Sequence, residues 1–153
     1  MGAARCREEE TIIASPVKRA VFLDTSAWVA AAVQTQSRHT EARAAYTTAV
    51  RGGHRIVTTP MILGEAHALF LRLLGRAQAS AAIDGALRDP THTVLAVDDA
   101  LVAAAVDRWI RPFRDQNFSL CDAVSFEIMQ QERITRALSI DRHFVTAGFE
   151  IIA

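Results

Sequence analysis

The chain is poor in the residues that anchor small secreted or zinc-bound proteins. It has two cysteines, Cys6 and Cys121, in 153 residues. Two thiols so far apart form neither a disulfide framework nor a zinc spacing, and a reducing cytoplasm is the expected location. None of the five histidines stands in an HExxH or other paired arrangement, which argues against zinc. No apolar run approaches the ~18 residues that a membrane span needs. The triple glutamate at 8–10 interrupts the stretch where a secretory leader would be apolar. No P-loop and no G-x-S-x-G elbow is present. Net charge is zero, so no strong general affinity for nucleic acid is expected. Lysine is almost missing: Lys18 stands alone among 17 basic residues, the rest being arginine. Arginine grips phosphate with a bidentate fork, although codon usage in a GC-rich genome would give the same skew.

What remains is half hydrophobic and long enough for one domain with a substantial core. Residues 1–16 read as a flexible tail and residues 17–153 as the folded domain. Short apolar runs near 19–23, 55–58, 93–97, 136–140 and 149–152 predict strands. Helical patterns fall between them, at 26–33, 37–51, 60–74, 76–87, 99–110 and 119–131. This alternation predicts an α/β fold with a Rossmann-like parallel sheet and helices on both faces. Thr59-Pro60, Asp98 and the Ser119-x-x-Asp122 spacing supply helix starts. Gly75 supplies a helix end.

Four acids are embedded in apolar sequence: Asp24 after AVFL, Glu65 inside PMILGEAHALFLRLLG, Asp122 in SLCDAVSFEIM and Asp141 after ALSI. Asp24 and Asp141 follow strands, Asp122 falls in the first turn of a helix and Glu65 in the second turn of another, so all four face the carboxyl edge of the sheet. Two unit charges 4 Å apart repel by about 4 kcal/mol at an effective dielectric of ~20. A convergent quartet therefore calls for a hard divalent cation and metal-assisted chemistry on phosphate. Each acid also has a local reading. Asp24 and Asp122 suit helix caps, Glu65 a solvated helix flank, and Asp141 a tight turn. Ser26 is placed to orient Asp24, and Asp115 either supports Ser119 or is a loop acid. Trp28 and Trp109 read as packing residues.

In this order the segments FLDTSAW (22–28), ILGEAHAL (62–69), DQNFSLCDAVSF (115–126) and SIDRHFVTAGF (139–149) resemble the PIN-domain ribonucleases, specifically the VapC-like toxins of bacterial toxin–antitoxin modules. The resemblance runs from about Ala20 to Ile152. Only the charged stretch before Lys18 is longer than such proteins usually carry. The resemblance implies that residues 17–153 form a PIN-like nuclease domain. It implies that Asp24, Glu65, Asp122 and Asp141 hold Mg²⁺, with Mn²⁺ as a substitute, and that Ser26 supports them. It further implies endonucleolytic cleavage of tRNA or rRNA, with Arg108, Arg111, Arg114 and Arg142 as candidates to hold RNA backbone, a cognate antitoxin and a homodimer. Two other functions fit parts of the pattern. One is a small-substrate phosphohydrolase, although Ser26 stands where the haloacid-dehalogenase signature has its second Asp. The other is a non-catalytic PIN-like binding module, which an intact quartet disfavours.

Overall fold

The computed structural model describes residues 19–153; the expected tail lies outside them. Strand β1 (Ala20–Leu23) leads into helix α1 (Thr25–Ala32) and helix α2 (His39–Arg51). Strand β2 (Arg55–Thr58) is followed by α3 (Pro60–Leu74), α4 (Arg76–Arg88) and strand β3 (His92–Val94). Helix α5 (Asp99–Ala105) runs into a π-helical segment, Val106–Ile110. Helix α6 (Leu120–Gln131), strand β4 (Arg136–Leu138), the short α7 (His143–Thr146) and strand β5 (Glu150–Ile151) complete the chain.

The five strands are all parallel, in the order β3-β2-β1-β4-β5. Their side chains alternate between the faces, and register shows the result. Phe22 lies level with Val57 and Ala137, and the three join one core with Ile62, Trp109, Phe126 and Phe144. Val21 lies level with Ile56, and Leu23 with Leu138; these pack on the other face with Ala27 of α1 and Ala49 of α2. Helices thus cover both faces. A third cluster, including Val29, Ala66, Phe70 and Ala79, joins α1, α3 and α4.

Helix starts follow the local chemistry. Thr59 accepts from the Ile62 amide ahead of Pro60, and Asp98 accepts from the Leu101 amide. Ser119 and Asp122 form a reciprocal capping box. Gly75 ends α3 at φ +85°, a conformation that glycine adopts without a Cβ clash.

The differences from expectation lie at element ends. The helix expected over 99–110 is α-helical only to Ala105. From there it widens, and the Arg111 amide reaches the Val106 carbonyl at 3.0 Å. This widening faces Trp109 inward, where its Nε1 donates to Glu127 at 3.1 Å. Glu127 is 1% exposed and also accepts from Gln131 at 2.9 Å. Strand β3 is shorter than 93–97 because the chain leaves the sheet after the Leu95 amide bonds Thr58. Strand β4 stops at Leu138 because the Ser139 hydroxyl captures the Asp141 amide at 3.0 Å, replacing ladder with a local turn. Helix α7 was not expected; Asp141 starts it by accepting from the His143 amide at 2.9 Å.

Trp109→Phe keeps the ring packing but leaves the buried Glu127 carboxylate short of a donor. Such a loss costs about 1–3 kcal/mol. The unfolding free energy extrapolated from urea titration should fall by that amount, lowering the midpoint at an unchanged slope. An unchanged midpoint would show that Glu127 is satisfied without the indole.

Candidate functional site

Strand order reverses at the β1–β4 pair. From β1 the chain winds outward through β2 to β3, and later returns to β4 and β5 on the other side. Ligands in such sheets bind beyond the carboxyl ends of the strands at this switch. Asp24 directly follows β1, and Asp141 lies three residues past the end of β4.

Asp24 is 7% exposed. Its Oδ2 accepts from the Ser26 hydroxyl, from the Ser26 amide at 3.3 Å and from the Ser139 hydroxyl at 2.9 Å. Ser26 Oγ in turn accepts from the Ile140 amide at 3.1 Å. Two hydroxyls, one from each central strand end, thus hold one oxygen of one carboxylate. Among the described residues no protein donor reaches Oδ1. Burial pushes the Asp24 pKa above the ordinary carboxylate value, against the pull of the Ser26 and Ser139 hydrogen bonds, and the charge of Asp122 adds to the rise.

Glu65 stands in the second turn of α3 and is exposed. Its Oε2 accepts from Thr25 at 2.8 Å and from the Cys121 thiol at 3.5 Å. These contacts tie α3 to the first residue of α1 and to α6. Cys121 is held well above its ordinary pKa, first by burial and then by Glu65, Asp24 and Asp122. One thiol therefore feels three of the four acids. Asp122 fixes its Oδ2 on the Ser119 amide at 2.8 Å, and its Oδ1 meets no protein donor among the described residues.

Asp141 and Asp122 meet at His143. Its Nδ1 lies 3.3 Å from Asp122 Oδ2 and 3.5 Å from Asp141 Oδ2. Ligand atoms of these three residues all lie within 4.8 Å of one another. The imidazole packs edge-on to Phe118 at a centroid distance of 5.2 Å.

The structure thus brings Asp24, Glu65, Asp122 and Asp141 to one edge, with Ser26 beside Asp24. Asp115 does not join them; it bonds the neighbouring Gln116 side chain in an exposed loop. Arg108 is tethered to the buried Glu127 at 3.5 Å and Arg111 to Asp107 at 2.8 Å. Arg114 and Arg142 are exposed and form no ion pair among the described residues. Four contributors were not anticipated: Thr25, Cys121, Ser139 and His143. Thr25 adjoins Asp24 and Cys121 adjoins Asp122, while Ser139 and His143 bracket Asp141 at two residues on either side. The S-x-D-x-H spacing was the available signal.

A PIN-domain family model matches residues 21–150. Among curated proteins, the 23S rRNA-specific endonuclease VapC20 of Mycobacterium tuberculosis is 29% identical over 129 residues. That match covers 84% of this chain and 95% of VapC20, and it recurs in a second strain. The crystal structure of Mycobacterium tuberculosis VapC20, described as a sarcin–ricin loop cleaving toxin, is similar with a TM-score of 0.75 and 30% identity. It covers 85% of this chain and 96% of that one. Motif order, a parallel sheet in this strand order, and a family match over most of the length lead to one assignment: this chain belongs to the PIN-domain family.

Proposed function

We propose that this protein is a metal-dependent endoribonuclease that cuts the sarcin–ricin loop of 23S rRNA and acts as the toxin of a toxin–antitoxin pair in the cytoplasm. The observation that carries the reading is the carboxylate edge at the β1–β4 switch, on a chain that spans nearly the full length of a 23S rRNA endonuclease. The reading includes a cognate antitoxin and a homodimer. In it Asp24, Glu65, Asp122 and Asp141 are the metal-holding acids, Ser26 is their support, and Arg114 and Arg142 are the arginines free to meet RNA phosphate. Arg108 and Arg111 bind RNA only by giving up their carboxylate partners.

The donors suit a hard dication. Asp24, Glu65 and Asp122 each have one oxygen held by the protein and one that no protein donor reaches. Oxygen ligands in this number favour Mg²⁺ or Mn²⁺. When bound, such an ion lowers the pKa of a ligand water and stabilises charge on a scissile phosphate.

The chain's own groups do the rest. The Ser26 and Ser139 hydroxyls fix the rotamer of Asp24, so that its free oxygen points one way without further ordering. Thr25 does the same for Glu65. Cys121 stays a thiol at neutral pH and donates to Glu65, which keeps one more negative charge out of the cluster. The Ser119 amide fixes Asp122 at the start of α6, where the helix dipole tolerates an anion.

Purified protein incubated with total RNA and Mg²⁺ should produce one dominant new 5′ end, inside the sarcin–ricin loop. Cleavage of tRNA instead would overturn the substrate assignment, and undiminished cleavage in chelator would overturn the metal mechanism.

Asp24→Asn should abolish that cleavage and reverse the order of stability with metal. The Asp24 pKa is raised in the folded chain, so its ionised form destabilises the metal-free fold. Below about pH 4 the group is protonated in folded and unfolded chains alike, and the cost vanishes. The cost grows as pH rises above the unfolded-state pKa and levels off once pH passes the folded-state pKa. In chelator, Asp24→Asn should therefore melt above the wild type at pH 7, with the gap closing toward pH 4. With Mg²⁺ the wild type should rise instead, by about 2.7 kcal/mol at 100 times its Kd. Equal melting shifts in Mg²⁺ and in Na⁺ of the same ionic strength would reduce the effect to screening.

A further inference from the structure

His143 carries information that the acids alone do not. Its Nδ1 is screened from solvent and makes no hydrogen bond, although two carboxylate oxygens stand close by. A buried polar atom without a partner is rare, and an ion is one of the few explanations. Two donors in cis positions at ~2.1 Å from one ion stand ~3.0 Å apart. The observed separations of 3.3 and 3.5 Å are close to that spacing. The imidazole is also pinned. The His143 amide bonds Asp141 Oδ1, which turns Oδ2 of the same carboxylate toward Nδ1, and Phe118 closes against the ring. A neutral imidazole with its proton on Nε2 presents a lone pair at Nδ1.

We propose that His143 Nδ1 is a direct ligand of the ion at this edge, together with carboxylate oxygens of Asp122 and Asp141, and that this nitrogen makes the site select a transition-metal dication over Mg²⁺. Imidazole nitrogen favours transition metals, whereas Mg²⁺ favours an all-oxygen shell. The inference rests on the proposed metal site but concerns which ion fills it. It also separates the acids into two groups. Asp122 and Asp141 share the ion with His143, while Asp24 and Glu65, outside that cluster, are left to orient water or a second ion.

The test is ion binding without RNA. Wild-type protein uniformly labelled with ¹⁵N-histidine is loaded with Mn²⁺ and examined by pulsed electron paramagnetic resonance, beside unlabelled protein. The expected result is a directly coordinated nitrogen whose coupling changes with the isotope and disappears in His143→Ala. Calorimetric titration of the same proteins should show Mn²⁺ affinity falling at least ~10-fold in His143→Ala, with Mg²⁺ affinity much less affected. His143→Asp, which offers oxygen in place of nitrogen, should bring the Mg²⁺ preference back. Bound Mn²⁺ with no histidine nitrogen overturns this inference and leaves the oxygen-ligand site standing. Equal losses of Mn²⁺ and Mg²⁺ affinity in His143→Ala also overturn it, because they assign His143 to positioning the acids. A wild type that binds neither ion overturns the metal site as well.

Discussion

The pairing of β1 with β4 is the contact on which the site depends. The Asp24 amide donates to the Leu138 carbonyl at 3.0 Å, extending the ladder one step past β1. That step sets Asp24 beside Ser139, 115 residues away in the chain. The Ser139 hydroxyl then serves both ends at once, donating to Asp24 and accepting from the Asp141 amide. Bringing such distant segments together has an entropic cost, and apolar register offsets it: Phe22 against Ala137 and Leu23 against Leu138. A one-residue slip would turn Ser139 to the opposite face. The polar site is therefore specified by the apolar pairing beneath it.

The acids serve the backbone as well as the site. Asp24 caps α1, Asp122 closes the box that starts α6, and Asp141 starts α7. Helix N-termini and turn amides lower the cost of a carboxylate, which lets the fold hold several of them at one edge. In Asp24 and Asp141 one oxygen serves the local bonds and leaves the other for a metal, whereas Asp122 Oδ2 both closes the box of α6 and faces His143. The two readings of Asp24 and Asp141 in the sequence, local bond or ligand, therefore do not compete in the structure.

Much of this was legible beforehand because it is local. Apolar runs marked all five strands, and Thr59-Pro60, Asp98 and Ser119-x-x-Asp122 marked helix starts that the structure reproduces. The four acids could be placed at the carboxyl edge because each adjoins an element boundary. What was not legible is long-range. Ser139 ends an apolar strand and shows no periodic signal; its partner Asp24 is distant in the chain. His143 has meaning only beside Asp122, which another helix carries. The widening of the helix after Ala105 follows from where Trp109 finds a partner for its indole, in Glu127 of α6. Arginine enrichment likewise says nothing of which guanidiniums are already engaged, as those of Arg108 and Arg111 are.

The dependence of β1 on β4 also orders events in time. Synthesis delivers Asp24 early and the strand that completes its surroundings late, after every helix through α6 has been made. Until β4 emerges from the ribosome, Asp24 lacks the Ser139 hydroxyl, and neither Asp141 nor His143 exists beside it. A partly translated chain therefore has no assembled carboxylate edge. For a protein proposed to cut the RNA of the ribosome, this topology delays competence until β4 and the segment after it have been made.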